Sequence, residues 1–335
     1  SKLKRPRSPP PPPPPREPIP FLDELKSTPD PAAAVSLLLH SPSHTHTYPT
    51  ISSLLHRLAR AHLFTHVPTL LSLARSRRVP LRPALLNSLI HHYGRAHLPG
   101  EALRLFRSLT SPSTQTLNFL LNALVDNGLL PKAQSLLSQT RIRPNVVSYN
   151  IVVKGVLKKD GLGAARKVLD EMPRRGIRPS VVTYNMLIGF AGKNGELGRA
   201  RELKDEMVRK GVEPNAITYG ILMEGLCLDG RYDEAKKLMF DMEYQGCATE
   251  VRNYGVLMSD CGRRGDFEGM RELLAEMKRR KMKPDGVMYS ILVNYLCVDG
   301  RVDEACKVLV EMQLKGCEPS AAVYWMMVDG FCRAR

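Results

Sequence analysis

Aromatic side chains are scarce: Phe, Trp and Tyr make up 6% of the 335 residues, with a single Trp. No run of 18 or more apolar residues occurs, which excludes a membrane-spanning helix and leaves membrane insertion unexpected. Seven cysteines, an odd number with no C-x-x-C pair among them, argue against a secreted disulfide framework and against a zinc site. Acidic residues are also in the minority. Against 33 Asp and Glu stand 49 Lys and Arg, a formal charge of +16, so the partner class favoured by charge is a polyanion such as nucleic acid.

What is present is first a basic, proline-rich stretch over residues 1–20, with an unbroken run from Pro9 to Pro15 flanked by Lys2, Lys4, Arg5, Arg7 and Arg16. Such a run is extended polyproline outside any core, expected as a tail left after a transit peptide is removed. The chain opens at Ser1 without an initiator methionine, in keeping with that expectation.

From Val146 onward the sequence repeats. NVVSYNIVV (Asn145 to Val153) aligns with SVVTYNMLI (Ser180 to Ile188) at an offset of 35, and tyrosine recurs at 149, 184, 219, 254, 289 and 324. With Val146 as position 1, these tyrosines hold position 4 and the units are 146–180, 181–215, 216–250, 251–285 and 286–320, followed by a partial unit at 321–335. The frame continues upstream in shorter units at 83–113 and 114–145 and a degenerate one at 48–82, with a helical capping segment at 21–47 that includes a lone second helix over Asp30 to His40.

Each unit predicts two helices. The first opens at Ser148, Thr183, Thr218 or Asn253 as N-cap; the second carries an apolar stripe such as Ala235-Leu238-Met239-Met242 or Ala305-Val308-Leu309-Met312. Gly176, Gly211, Gly246 and Gly316 end it, with Pro179, Pro214 and Pro319 three residues beyond Gly176, Gly211 and Gly316. No hairpin of this size buries such a stripe alone, so neighbours must stack; the expected fold class is all-α, a superhelical solenoid of stacked helix-turn-helix repeats. The same phase assigns the tyrosines and methionines to the core, and the cysteines to buried or turn positions, and not to a cofactor or metal site.

The signature VVTYNMLI, a mid-unit Gly, a late Met and then G-x-x-P-[NSD] resembles the pentatricopeptide repeat family, of the plain 35-residue type, over about residues 48–335. The 34-residue tetratricopeptide pattern is absent. The resemblance implies a plant organellar protein, in mitochondrion or chloroplast with mitochondrion favoured, that binds single-stranded RNA and acts in its processing, stability, splicing or translation by recognising one nucleotide per repeat. It implies partners among other organellar RNA-processing or ribosomal proteins.

In this family, position 5 and the last residue of a unit read one base together. Carried over, the pairs are Asn87 with Ser113, Asn118 with Asn145, Asn150 with Ser180 and Asn185 with Asn215, all similar to pyrimidine-preferring pairs, then Gly255 with Asp285 and Ser290 with Ser320, which hint at purines. Gly220 with Glu250 offers nothing to a base, and that unit is expected to be skipped. Position 2 flanks the base: Val147, Val182, Ile217, Arg252 and Val287. Cations recur at position 13, among them Arg95, Lys158, Lys193 and Arg263, where they are expected to meet phosphates. Chemically the row is sensible, because a side-chain amide both donates and accepts, and the Watson–Crick edges it would read are free only in single strands.

Two other readings compete. Position-5 asparagine can instead bridge adjacent units and act as a spacer, and the array can be a helical scaffold or structural subunit of an organellar ribonucleoprotein such as the ribosome. Some members of the family carry a catalytic domain; a deaminase would need H-x-E and C-x-x-C, and neither occurs here. The acidic residues are spread periodically over second helices, as in Asp233-Glu234 and Asp303-Glu304, not gathered for metal-dependent cleavage. No enzyme activity, catalytic residue, metal, cofactor or small-molecule substrate is expected.

Overall fold

The computed structural model describes residues 20–334, so the proline run Pro9–Pro15 lies outside the described residues. Those residues hold eighteen α-helices and no strand. They divide into two compact units, one before and one from Asn145.

The first unit contains α1 (Pro20–Ser27), α2 (Pro31–His40), α3 (Tyr48–Arg60), α4 (Val67–Ser76), α5 (Pro83–Arg95), α6 (Pro99–Arg107), α7 (Thr114–Asp126) and α8 (Leu130–Gln139). Asp30 caps α2 by accepting from Ala32 N and Ala33 N, 3.0 and 3.1 Å away. Helix α1, which the periodicity did not single out, is held from outside: the Arg57 guanidinium on α3 donates to the carbonyls of Leu25 and Thr28. Helices α5 and α7 approach closely because Gly94 faces Ala123; a Cβ at Gly94 would stand 2.7 Å from the Ala123 Cβ. Asn127 crosses this joint, donating to Gly94 O and Ala123 O at 2.8 and 2.7 Å.

In the second unit lie α9 (Val146–Arg174), α10 (Val181–Lys193), α11 (Leu197–Arg209), α12 (Ala216–Leu228), α13 (Tyr232–Tyr244), α14 (Val251–Arg263), α15 (Phe267–Arg279), α16 (Gly286–Val298), α17 (Val302–Leu314) and α18 (Ala321–Arg333). Helix α9 is two helices joined at Gly161, whose φ of 79° breaks the run. Each first helix (α10, α12, α14, α16) packs on its own second helix and on the next first helix. Tyr149, Tyr184, Tyr219 and Tyr254 are fully buried between these layers, as are Met172, Met207, Met242 and Met277 from the second helices. Removing one such side chain from water stabilises the stack by about 1.5–3 kcal/mol.

Second helices end where Gly176, Gly211, Gly246 and Gly316 take φ between 72° and 81°. In the unit 251–285 this place belongs to Lys281, at φ 57°, a conformation that costs a side-chain-bearing residue about 1–2 kcal/mol.

The first helices begin three residues earlier than their predicted caps. Asn145, Ser180, Asn215 and Glu250 are the N-caps, and Ser148, Thr183, Thr218 and Asn253 are the return partners of capping boxes. Both members of such a box are good capping residues, which is why the spacing alone misplaced the start.

Candidate RNA-reading surface

Position 2 points outward along the second unit: Val147, Val182, Ile217 and Val287 are 48, 59, 41 and 64% exposed although aliphatic. Arg252 shares the row and leans toward Glu250, 3.6 Å away. An aliphatic side chain left in water at one register of successive stacked helices is a surface waiting for a flat apolar partner, and a nucleobase face is one such partner.

One residue pair inward lies position 5. Asn150 and Asn185 are half-buried at the lip of the first-helix layer. Oδ1 of Asn150 accepts a hydrogen bond from Thr183 Oγ1 in the next unit, at 2.7 Å. Oδ1 of Asn185 also points inward, buried without a hydrogen-bond partner among the described residues. In the first unit Asn87 is buried, its Oδ1 likewise unpartnered there, and Asn118 is half-buried on α7.

Last residues of the units serve as N-caps. Ser113 accepts from Thr116 N at 3.2 Å, Asn145 from Ser148 N at 3.0 Å, Ser180 from Thr183 N at 3.4 Å, Asn215 from Thr218 N at 3.1 Å and Asp285 from Met288 N at 3.0 Å. The carried-over pair Asn150 and Ser180 is thereby joined through one hydroxyl. Thr183 Oγ1 accepts from Ser180 N at 3.1 Å, lies 3.2 Å from Ser180 Oγ and donates to Asn150.

Beyond Ala216 the surface changes. Gly220 has no side chain, and the space beside it is taken by Asn253 from the following unit, which stands 3.4 Å from where a Gly220 Cβ would be and donates to Ala216 O at 3.0 Å. Next along, Arg252, Gly255, Arg263, Asp285 and Val287 come together around a cavity of about 950 Å³. Met288 and Tyr295, which sequence reasoning did not single out, also line it. Ser290 is withdrawn, donating to its own helix at Gly286 O, 2.6 Å away, and Ser320 caps α18 as an exposed residue.

The position-13 cations differ in what holds them. Arg95, Lys158 and Lys193 are exposed at the ends of their first helices, and neither lysine is in an ion pair among the described residues. Arg263 is tied to the buried carboxylate of Asp260 at 3.0 Å, with Arg264 on the other carboxylate oxygen at 2.9 Å. Asp260 is a residue the position-by-position reading missed, and it subtracts one charge from the row. Burial raises the Cys227 thiol to about 12, in keeping with its assignment to the core.

One buried acid lies away from this face. Burial alone would raise the Glu206 carboxyl, but the hydrogen bond from Lys210 at 2.7 Å and the Arg166 guanidinium outweigh it and hold the group below the usual carboxylate range. The Arg166 contact ties α11 to the preceding repeat.

Comparison with known proteins agrees with this fold. The chain matches the model of the PPR repeat family at residues 144–192, 179–228 and 284–333, and that of the PPR repeat at 85–111, 217–247 and 253–282. Two mitochondrial pentatricopeptide repeat-containing proteins of Arabidopsis thaliana are similar to it, one 50% identical over 141 residues (39% of this chain, 31% of the relative), the other 32% identical over 142 residues (39% and 26%). The matched stretch thus spans about a third or less of these relatives. Among solved structures, the pentatricopeptide repeat protein PPR10 in complex with an 18-nt psaJ RNA element has the same fold, at TM-score 0.50 and 22% identity, covering 94% of this chain and 55% of that one. By its repeats, its helices and these relatives, the chain belongs to the pentatricopeptide repeat family.

Proposed function

We propose that this protein binds single-stranded RNA in organellar RNA metabolism, one nucleotide per repeat, with the strongest base preference carried by Asn150 with Ser180 and Asn185 with Asn215. The observation that carries the reading is the coincidence of exposed aliphatic plates at position 2 of α9, α10 and α12 with amides at position 5 of α9 and α10 whose oxygens are turned inward. A spacer would need no plates, and a protein-binding face would not favour a net charge of +16. Asn87 with Ser113 supplies a readout pair within the first unit, and Val147, Val182, Ile217, Arg252 and Val287 sandwich the bases along the second. Arg95, Lys158 and Lys193 meet the phosphates. Organellar action, mitochondrial before chloroplast, is supported by the mitochondrial relatives.

Binding of the chain to short pyrimidine-rich RNA, to the same sequence as a duplex, and to single-base variants tests this directly. Asn150→Ala and Asn185→Ala are each expected to cost about 1–3 kcal/mol on the preferred strand and to flatten base preference at one register. Equal binding of single strand and duplex, or affinity untouched by both variants, would favour the scaffold reading instead.

A further inference from the structure

The residue that decides whether position 5 can read a base belongs to the next unit. Wherever position 5 is asparagine within one compact unit, position 3 of the following helix is a small hydroxyl residue: Asn87 precedes Thr116, Asn150 precedes Thr183 and Asn185 precedes Thr218. Where position 5 is glycine, the following position 3 is long: Gly220 precedes Asn253 and Gly255 precedes Met288. The structure gives the pattern a physical cause. Asn253 and Met288 lie directly against the place of a position-5 side chain, in van der Waals contact at 3.4 Å from a Gly220 Cβ and 3.7 Å from a Gly255 Cβ, where anything longer than a methyl group must compete with them. Thr183 and Thr218 leave that room open, and both are fully buried.

Thr183 does more than leave space. Its Oγ1 already accepts the Ser180 N–H at 3.1 Å, so the proton it carries is the one left to donate, and it is donated to Asn150 Oδ1 at 2.7 Å. A hydroxyl used in this way selects the amide oxygen over the amide nitrogen. Oδ1 is then held inward and Nδ2, a donor, faces the ligand. Asn185 has the same polarity, its Oδ1 buried. Thr218 gives its own proton to Asn215 Oδ1, 3.2 Å away, so at that unit the orientation is enforced by packing alone.

We infer that Thr183 is a positioning and specificity-determining residue for RNA: it locks the Asn150 amide donor-outward, so that this register discriminates bases by where on the Watson–Crick edge their acceptor lies. The inference rests on the base-reading function proposed above. It adds that readout at one unit is set by a buried side chain of the next that never touches RNA.

The test uses the full chain and a panel of single-stranded RNA oligonucleotides in which each successive position of a pyrimidine run is replaced by all four bases. Thr183→Val preserves shape and removes the proton; Thr183→Ser restores it. Thr183→Val is expected to reduce discrimination at one register to within about threefold, with other registers unchanged, and Thr183→Ser to retain the parent preference. Thermal melting of each variant checks that the stack persists, and preference at the unaffected registers checks it a second way. If Asn150→Ala leaves base preference unaltered, the base-reading function itself fails. If Asn150→Ala flattens preference while Thr183→Val does not, the function stands and the positioning role is overturned. A second arm covers the case in which Thr183→Val melts early. Gly220→Asn alone is expected to add no preference, because Asn253 fills the space, whereas Gly220→Asn with Asn253→Thr creates preference at a new register. Equal gain from the single and double variants would overturn the coupling.

Discussion

Removing the two position-13 lysines should change how RNA affinity depends on salt, by an amount the structure fixes. Lys158 and Lys193 are exposed, and no ion pair among the described residues neutralises them. Each phosphate neutralised on a single strand contributes about −0.7 to the slope of log K against log salt. The double variant Lys158→Ala/Lys193→Ala should therefore flatten the slope by about 1.4, so that the loss of affinity between roughly 50 and 200 mM salt becomes about sevenfold smaller than in the parent. Arg263 is the internal control. Its charge is already spent on Asp260 at 3.0 Å, so Arg263→Ala should change the slope by clearly less than either lysine. Fluorescence anisotropy with one labelled single strand across a salt series measures all three. Because phosphate contacts are indifferent to sequence, the lysine variants should weaken every oligonucleotide alike. A slope that does not move, or an Arg263→Ala effect equal to that of a lysine, would refute the assignment of position 13 to phosphates.

Three further outcomes follow from packing and from the exposed face. Glu206→Gln should destabilise the second unit by about 1–3 kcal/mol in denaturant unfolding. Because the folded carboxyl titrates below its unfolded value, the stability supplied by Glu206 is present above the usual carboxylate range and is lost as pH falls through the depressed folded value; the variant should lack that part of the acid sensitivity. Lys281→Gly relieves a left-handed backbone at a place where a side chain is not accommodated for free, and should raise stability by about 0.5–1 kcal/mol after the added unfolded-state entropy of glycine is counted, read as a shifted denaturation midpoint. Val182→Asp should weaken RNA binding strongly while leaving the melting temperature within about 2 °C of the parent, since the side chain is 59% exposed; an equal loss of both would mean that position 2 belongs to the fold.

The period was legible because every unit solves the same burial problem with the same spacing, so Tyr149, Tyr184, Tyr219 and Tyr254 fall in phase and all are buried. The first-helix starts were not, because Asn145 and Ser148, or Ser180 and Thr183, are equally good caps, and only the backbone hydrogen bonds distinguish the giver from the receiver. Candidate site residues could be placed by register, yet their state could not. That Arg263 is neutralised depends on Asp260 being buried, and that Asn150 is oriented depends on Thr183 in a different helix. Contacts between units are invisible to a scan that treats each repeat alone. The turns of the first unit were hidden for another reason: His62, Arg78 and His97 adopt φ between 55° and 58° where the later units use glycine, so the usual stop signal is missing.

The N-caps carry a consequence for how such a protein can change its target. Ser180, Asn215 and Asp285 each open the helix of the following unit while occupying the place from which a base would be read. If these residues read bases as proposed, a substitution that retunes base choice there is judged twice, once by RNA and once by helix initiation, where an unsuitable residue costs about 0.5–2 kcal/mol. Selection at these sites is thus confined to the short alphabet of side chains able to cap: Ser, Asn, Asp and their near equivalents. Glu250 stands in the unit whose Gly220 carries no side chain, and there the capping box is completed by Asn253 accepting from Glu250 N at 3.0 Å. The vocabulary of recognition in this array is, in that sense, rationed by the chemistry of starting a helix.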